Sequence, residues 1–395
     1  MNYLLLGAGL QGTAIAWDLL RHDDTTRLTV VDRDGDALDR LAGRLDAGAR
    51  LAVVAGDVDD TALLGPLMDE AAVAVSAVNY WFNDDLTALA IAHGAHFLDL
   101  GGNNDVVARQ LARDEAARAA GVTVVPDTGL APGLAGILGW RLATGLDRCE
   151  AVRLRVGGLP ARPRPPLNYQ IVFSVQGLIN EYIEDCVVIR DGAIGTVPGL
   201  SELETLVFPE PFGELEAFQT SGGTSTLPQS LAGRVRDLDY KTIRYRGHCE
   251  QIRLLRDLGL TGSEPVEVAG AWVKPRDLLA QRLTAVVPDE GDDVVLLLAE
   301  AEGFDAAGKA IRRSIRIVDR NDPATGLSAM MRMTGFPAAI IARLLATGAV
   351  DAPGARPQET IIPADVMLEE LSRRGVRIQR WDSDPAAENP GPNHD

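Results

Sequence analysis

Tyr3-Leu4-Leu5-Leu6-Gly7-Ala8-Gly9-Leu10-Gln11-Gly12 decides how this chain begins to fold. A short apolar run bounded by glycine reads as a buried parallel strand, and the segment that follows, Thr13 to Leu20, carries apolar residues at helical spacing. The glycines therefore sit at a strand-to-helix turn, the context in which G-x-G-x-x-G is informative. Gly7 allows the tight bend, Gly9 lets backbone approach a pyrophosphate, and Gly12 lets helix pack on strand. Leu10 and Gln11 open the helix, whose positive end suits phosphates. Thr29-Val30-Val31-Asp32 is the next strand, and Asp32 lies 20 residues past Gly12, where a carboxylate accepts hydrogen bonds from a ribose 2′-hydroxyl. A dinucleotide is the expected occupant. Asp32 repels a 2′-phosphate and so favours NAD over NADP, although the adjacent Arg33 is a residue type that pairs with that phosphate.

The alternation continues outward from this turn. A helix is expected through Leu45, a third strand at Leu51 to Val54 leading to Asp57 and Val58 as adenine contacts, and a fourth strand at Ala72 to Ser76. Ala77, Val78 and Asn79 leave its carboxyl end, where the nicotinamide side belongs. A helix at Leu86 to His93, a strand at His96 to Leu100, an Ala/Arg-rich helix at Ala108 to Ala120 and a strand at Val122 to Val125 follow. Strands separated by helical stretches predict an α/β fold, a doubly wound parallel sheet of the Rossmann type, over residues 1–128.

Past Asp127 the pattern becomes α+β, predicting a separate substrate-binding and dimerisation domain over 129–329. Glu150 to Val156 and Tyr169 to Phe173 have strand character, Asp191-Gly192 is a tight-turn signal, and Ser174 is placed to cap a helix through Tyr182. Val294 to Ala299 and Ile311 to Val318 read as a hairpin pair. Helices within 330–380 are expected to return and complete the first domain, and 384–395 to be a disordered tail.

With 395 residues, 46% of them hydrophobic, the chain can build two cores, and it has no run of about 18 unbroken apolar residues that would span a membrane. A net charge of −18 argues against nucleic acid and anionic membrane as partners. Met1 leads almost directly into the first strand, leaving no room for a signal peptide, and Cys149, Cys186 and Cys249 lack disulfide or metal-ligand spacing. Cytoplasmic residence and no metal are the expectations. Only Lys241, Lys274 and Lys309 stand against 35 arginines, so each lysine in this lysine-avoiding chain draws attention.

Several motifs carry a resemblance. Leu100-Gly101-Gly102-Asn103, Pro126-Asp127-Thr128-Gly129-Leu130-Ala131-Pro132-Gly133, Gly177-Leu178-Ile179-Asn180-Glu181-Tyr182, the run Glu216 to Pro228, and Tyr240-Lys241-Thr242-Ile243-Arg244-Tyr245 together resemble the saccharopine dehydrogenase-like family, within it the bacterial L-lysine 6-dehydrogenase branch. Arg246 stands where that branch is expected to have proline. The resemblance implies NAD-dependent oxidative deamination of the lysine side-chain amine, giving allysine and ammonia, in a homodimer.

Residue chemistry is compatible with that. Hydride leaves a carbon bearing a neutral amine, so a base must take a proton from an ammonium whose solution pKa is about 10.4. Lys241, His248 and Asp127 are the candidates, each with a purely structural alternative. The substrate's carboxylate calls for Arg244 and the hydroxyls of Thr220 and Ser225, and its amine for Glu181 and Asp127; Asn103, Gly129 and Tyr169 complete the substrate candidates. Two alternatives stand beside this: action on saccharopine or a carboxylated polyamine, with Arg153, Arg155, Arg162 and Arg164 meeting extra carboxylates, and a non-catalytic NAD-sensing protein.

Overall fold

The computed structural model describes residues 1–45, 47–171, 174–288 and 291–386. It divides into two units: Met1–Trp140 with Ser225–Ser230 and Met331–Gly375, and Arg141–Thr224 with Leu231–Met330 and Val376–Asp395.

In the first unit β1 (Asn2–Leu6), β2 (Arg27–Asp32), β3 (Leu51–Ala55), β4 (Val73–Ser76), β5 (His96–Asp99) and β6 (Thr123–Val125) form a wholly parallel sheet in the order 3-2-1-4-5-6. Strand order reverses between β1 and β4, which opens a crevice beyond their carboxyl ends. Leu4, Leu6, Val31, Ala74, Phe97 and Val124 fill the core with the apolar side chains that made these strands legible. The single helix expected over 108–120 is two helices, Asn104–Leu111 and Asp114–Ala120. The Asn103 side chain caps the first by accepting from the Val106 amide, and at the break the Arg113 guanidinium donates to Asp84. Asp114 and Glu115 then suit the positive end of the second helix.

The second unit is built on a mixed sheet. β7 (Arg148–Pro160), β8 (Cys186–Arg190), β9 (Ala193–Val197), β10 (Glu204–Phe208), β11 (Gly213–Gln219) and β12 (Val235–Tyr245) are followed by a separate hairpin, β13 (Val266–Val268) and β14 (Ala271–Val273), and by β15 (Asp293–Phe304) and β16 (Ala310–Arg320). The sheet runs β10-β11-β12-β7-β15-β16, with β12 and β7 parallel and β8 paired to β12. Asp191 and Gly192 turn between β8 and β9 with φ of 50° and 81°, and Ser174 caps Val175–Ile183 by accepting from the Gly177 amide. The strand expected at 169–173 is absent over Tyr169 to Ile171; Val172 and Phe173 lie outside the described residues. Asn168 is left-handed (φ 49°), and Tyr169 and Gln170 are both buried, so the segment does not alternate between two faces.

The chain then re-enters the first unit, where β17 (Gly354–Ala355) extends the parallel sheet beside β6. Helix Ala329–Ala346 is long and apolar enough to cross a membrane by length and composition, but 72% of it is buried inside the protein, as a core helix would be. The first unit differs from the expected 1–128 plus 330–380 at both ends. It runs on to Trp140, with the Leu134 amide donating to Gly129, and it stops at Gly375, because β18 (Arg377–Ser383) pairs with β16. Residues 387–395 of the expected tail lie outside the described residues.

Candidate functional site

At the strand reversal the glycine turn is tightly specified. Gly7 has φ 106°, and a Cβ there would meet the Ala77 carbonyl at 2.9 Å; a Cβ on Gly12 would lie 2.0 Å from the Gly7 carbonyl. A Cβ on Gly9 would meet nothing within 4 Å, so its smallness is not demanded by packing and leaves an open face. Helix Leu10–Leu20 starts at Gly9 with no side-chain cap and no acid in its first turn, leaving its positive end to an anion. Leu10 is exposed, and the Gln11 Oε1 is buried without a partner. Asp32 braces the turn: its Oδ2 accepts from the Ala8 amide at 2.7 Å and its Oδ1 from Asp34 at 2.9 Å, while Arg33 is exposed. Asp57 is half-buried, but the Val58 side chain packs into the core, so only its backbone can face a ligand. Ala77 and Val78 are half-buried beside Gly7, and Asn79 is exposed. These groups fit the diphosphate and ribose of a dinucleotide.

At the carboxyl ends of β5 and β6 the first unit buries three acids. Asp127 is left-handed (φ 61°) and fully buried; Ser225 donates to its Oδ2, and its Oδ1 has no partner. Burial, together with the nearby Asp99 charge, pushes Asp127 from 3.8 up to about 8. Asp99 accepts from the Gly101 amide at 2.7 Å and from Gln110 at 2.6 Å, and burial raises it too. Glu359, likewise raised by burial, accepts from Thr226 at 2.9 Å and Ser230 at 2.6 Å. A Cβ on Gly101 would fall 1.8 Å from Asp127 Oδ1, which accounts for that glycine. Gly129 bridges to Gly133 under the same turn, and Asn103 spends its side-chain oxygen as a helix cap. Sequence reasoning passed over Asp99 and Glu359.

The second unit gathers Tyr169, Glu181, Tyr182, Arg244 and His248. Arg244 is 3% exposed; its Nε donates to Tyr182 Oη at 3.3 Å, its Nη1 to Thr242 and to the Ile243 carbonyl, and its guanidinium lies 4.7 Å from the Tyr169 ring centre. Glu216, directly across the ladder, accepts instead from the Gly247 and Cys249 amides. Among the described residues Arg244 therefore has no ion-pair partner, and a buried cation so placed invites an anion. Among the described residues the half-buried Glu181 carboxylate has no hydrogen bond or ion pair, and burial pushes it to about 7 against the pull of Arg244. Thr220 is buried at the end of β11, whereas Ser225 belongs to the first unit.

His248 is a poor proton acceptor here. Its Nδ1 lies 3.0 Å from the Leu167 carbonyl and its Nε2 2.8 Å from Tyr182 Oη, and burial with the Arg244 charge drives it down to about 3. It positions Tyr182 as a neutral ring. Lys241 is corrected more sharply. Side chains alternate along β12, so Lys241 lies on the sheet face opposite Tyr240, Thr242 and Arg244. There Lys241 Nζ donates to Glu204 at 2.7 Å, in a network where Arg155 bonds Glu204 and Asp239, and Arg190 bonds Glu202 and Asp239. Lys241→Met is expected to leave kcat within about threefold of wild type and to cost about 1–3 kcal/mol in urea unfolding, by unbalancing that network. A hundredfold fall in kcat with unchanged stability would restore Lys241 as the base.

Among the described residues no group of three His, Cys, Asp or Glu is arranged to hold a metal ion. The glycine turn and the sheet order define a two-unit protein whose first unit is a dinucleotide-binding domain. Residues 3–125 match the saccharopine dehydrogenase NADP binding domain and residues 129–376 the saccharopine dehydrogenase C-terminal domain. The chain belongs to the saccharopine dehydrogenase family.

Among curated relatives it is similar to the saccharopine dehydrogenase [NADP(+), L-glutamate-forming] of Pyricularia oryzae, 24% identical over 278 residues covering 67% of this chain and 58% of that protein. The enzyme of the same name from Schizosaccharomyces pombe is 21% identical, with 96% and 98% covered. Among solved structures, apo saccharopine dehydrogenase (L-Glu forming) from Saccharomyces cerevisiae shares the fold at a TM-score of 0.80 and 21% identity, with 97% and 99% covered. Homospermidine synthase from Legionella pneumophila in complex with NAD does so at 0.67 and 12%, with 100% and 94% covered.

Proposed function

We propose that the protein is an NAD-dependent oxidoreductase acting on a carbon–nitrogen bond, and that it oxidatively deaminates the side-chain amine of L-lysine to allysine, which cyclises to piperideine-6-carboxylate, with release of ammonia. The glycine turn Gly7–Gly12 and Asp32 would hold the dinucleotide, which would supply a hydride acceptor for the amine-bearing carbon. Asp127 is the proposed proton acceptor for the reacting ammonium: ionised above about pH 8, with one oxygen unpartnered and the other held by Ser225. Water then attacks the iminium carbon and ammonia leaves.

The observation that carries the substrate class is Arg244, a buried guanidinium with no carboxylate partner among the described residues. The runner-up is a saccharopine-type substrate, as in the names of the fungal relatives. It would need further cations, but Arg153 is paired with Glu302 and Arg155 with Glu204 and Asp239, leaving the exposed Arg162 and Arg164. A panel of lysine, ornithine, saccharopine, carboxynorspermidine and simple diamines, followed by NADH absorbance, tests the assignment. Turnover of saccharopine alone would replace it, and firm NAD binding without any turnover would favour a sensor.

For the cofactor, the Asp32 carboxylate at the ribose end supports NAD. NAD is expected to bind at least tenfold more tightly than NADP in a fluorescence titration; equal or tighter NADP binding would give the ribose end to Arg33. We also propose a homodimer in solution, supported by Val207, 75% exposed on the edge strand β10. Light scattering should then report twice 42.1 kDa.

A further inference from the structure

We propose that Asp99 is the positioning residue for Asp127: its carboxylate holds the turn that presents Asp127 and sets a second negative charge behind it, which makes Asp127 a stronger base than a lone buried aspartate. The catalytic meaning rests on the proposed role of Asp127, but the geometry does not.

Contacts within the first unit carry it. Asp99 closes β5, and its Oδ1 accepts from the Gly101 amide at 2.7 Å and from the amide of Asp127 itself at 3.3 Å. Its carbonyl accepts from the Thr128 amide and hydroxyl, both at 2.7 Å. That turn needs holding, because Asp127 is left-handed (φ 61°), a conformation an L-residue keeps only where its surroundings fix it. Gly101 lies between the two carboxylates: Asp99 bonds its amide, and a Cβ built on it would fall 1.8 Å from Asp127 Oδ1. Asp99 Oδ2 is held in turn by Gln110 Nε2 at 2.6 Å, which also donates to Thr87 Oγ1 at 2.9 Å, and Thr87 donates to the Asn83 carbonyl at 2.6 Å. Asp99, Gln110, Thr87 and Asn83 are each at most 1% exposed, so the brace is a buried polar chain.

All three donors to the Asp99 carboxylate are N–H groups, which favour its ionised form against the opposing effect of burial. With Asp99 ionised, Asp127 can lose its proton only by placing a second charge beside the first, and so holds it to higher pH. The groups facing Asp127 are Asp99 of β5, Ser225, which donates to its Oδ2, and Glu359 of helix Gln358–Ile361. Among the described residues Glu359 takes the hydroxyls of Thr226 and Ser230 rather than the Asp127 turn, so Asp99 is the charge tied to that turn by contact.

The experiment is carbon-13 NMR of the full chain labelled at its aspartate carboxyl carbons, titrated with pH beside kcat for NAD and lysine. The Asp127 resonance is the one missing from D127N, and NADH affinity checks that each variant is folded. In wild type both midpoints are expected near pH 8. D99N keeps an oxygen for the Gly101 and Asp127 amides but no charge, and both midpoints should fall by about one pH unit. Q110L removes one donor, lets Asp99 keep its proton to higher pH, and should move them the same way by less; it decides alone if D99N does not bind NADH. Midpoints unchanged in both variants, with only a lower rate at every pH, would make Asp99 plain scaffold and overturn the proposal, as would a larger shift in E359Q. A resonance that shifts in D99N, in a protein that never turns lysine over, would sink the proposed reaction and leave this assignment standing; turnover with an unmoved resonance would do the reverse.

Discussion

Replacing Asp127 by Asn is expected to lower kcat with NAD and lysine by about 10²–10³-fold, the range a positioned general base supplies, with the affinity for NAD changed less than threefold. The pH profile gives the sharper signature. In wild type the rate should climb as Asp127 ionises near pH 8, whereas in the variant only the slope from the substrate amine, near 10.4, should remain. Stability supplies a second readout with a definite sign. Below about pH 4 both folded and unfolded chains hold the Asp127 proton; between 4 and 8 only the folded chain does, so the wild type loses stability as pH rises through that window. Asp127→Asn should decline less across the same interval in urea unfolding. An unchanged rate with an unchanged profile would remove Asp127 from the chemistry.

Arg244→Met is expected to raise the lysine KM by about 100-fold, corresponding to loss of a charge-assisted contact worth about 2–3 kcal/mol, with a smaller effect on kcat. The same variant should be more stable than wild type by about 1–3 kcal/mol, because a buried guanidinium with no anionic partner among the described residues is exchanged for an apolar chain of similar length. Opposite movements of KM and stability identify a ligand-binding charge. If both worsen, Arg244 is part of the scaffold, and the carboxylate is held elsewhere.

The dinucleotide unit was legible because its cues are local. β1 to β6 each announce themselves by a few apolar residues, and the glycine turn by three positions whose crowding the structure bears out at Gly7 and Gly12. Ser174 and Asp191-Gly192 are local signals of the same kind. The break between Asn104–Leu111 and Asp114–Ala120 has no glycine or proline to mark it. Asp99 ends a parallel strand, as Asp127 follows one, and the same rule could have selected it. Glu359 had no such signal, since its role depends on Thr226 and Ser230, well over a hundred positions away. For Lys241 the cue lay in parity: positions 241 and 244 differ by an odd number, and on a strand that puts them on opposite faces.

That parity makes β12 a partition. On its odd side the charges of Lys241, Arg155, Glu204 and Asp239 cancel among themselves, and on its even side Arg244, held by neutral partners, has no ion-pair partner among the described residues. One strand thus separates a closed circuit from a live terminal across the thickness of a single backbone. Specificity can therefore be redesigned on the even positions without rebalancing the odd ones. A single-residue insertion within β12 would exchange the two, burying the Arg244 charge in the scaffold and offering a neutralised lysine to the ligand.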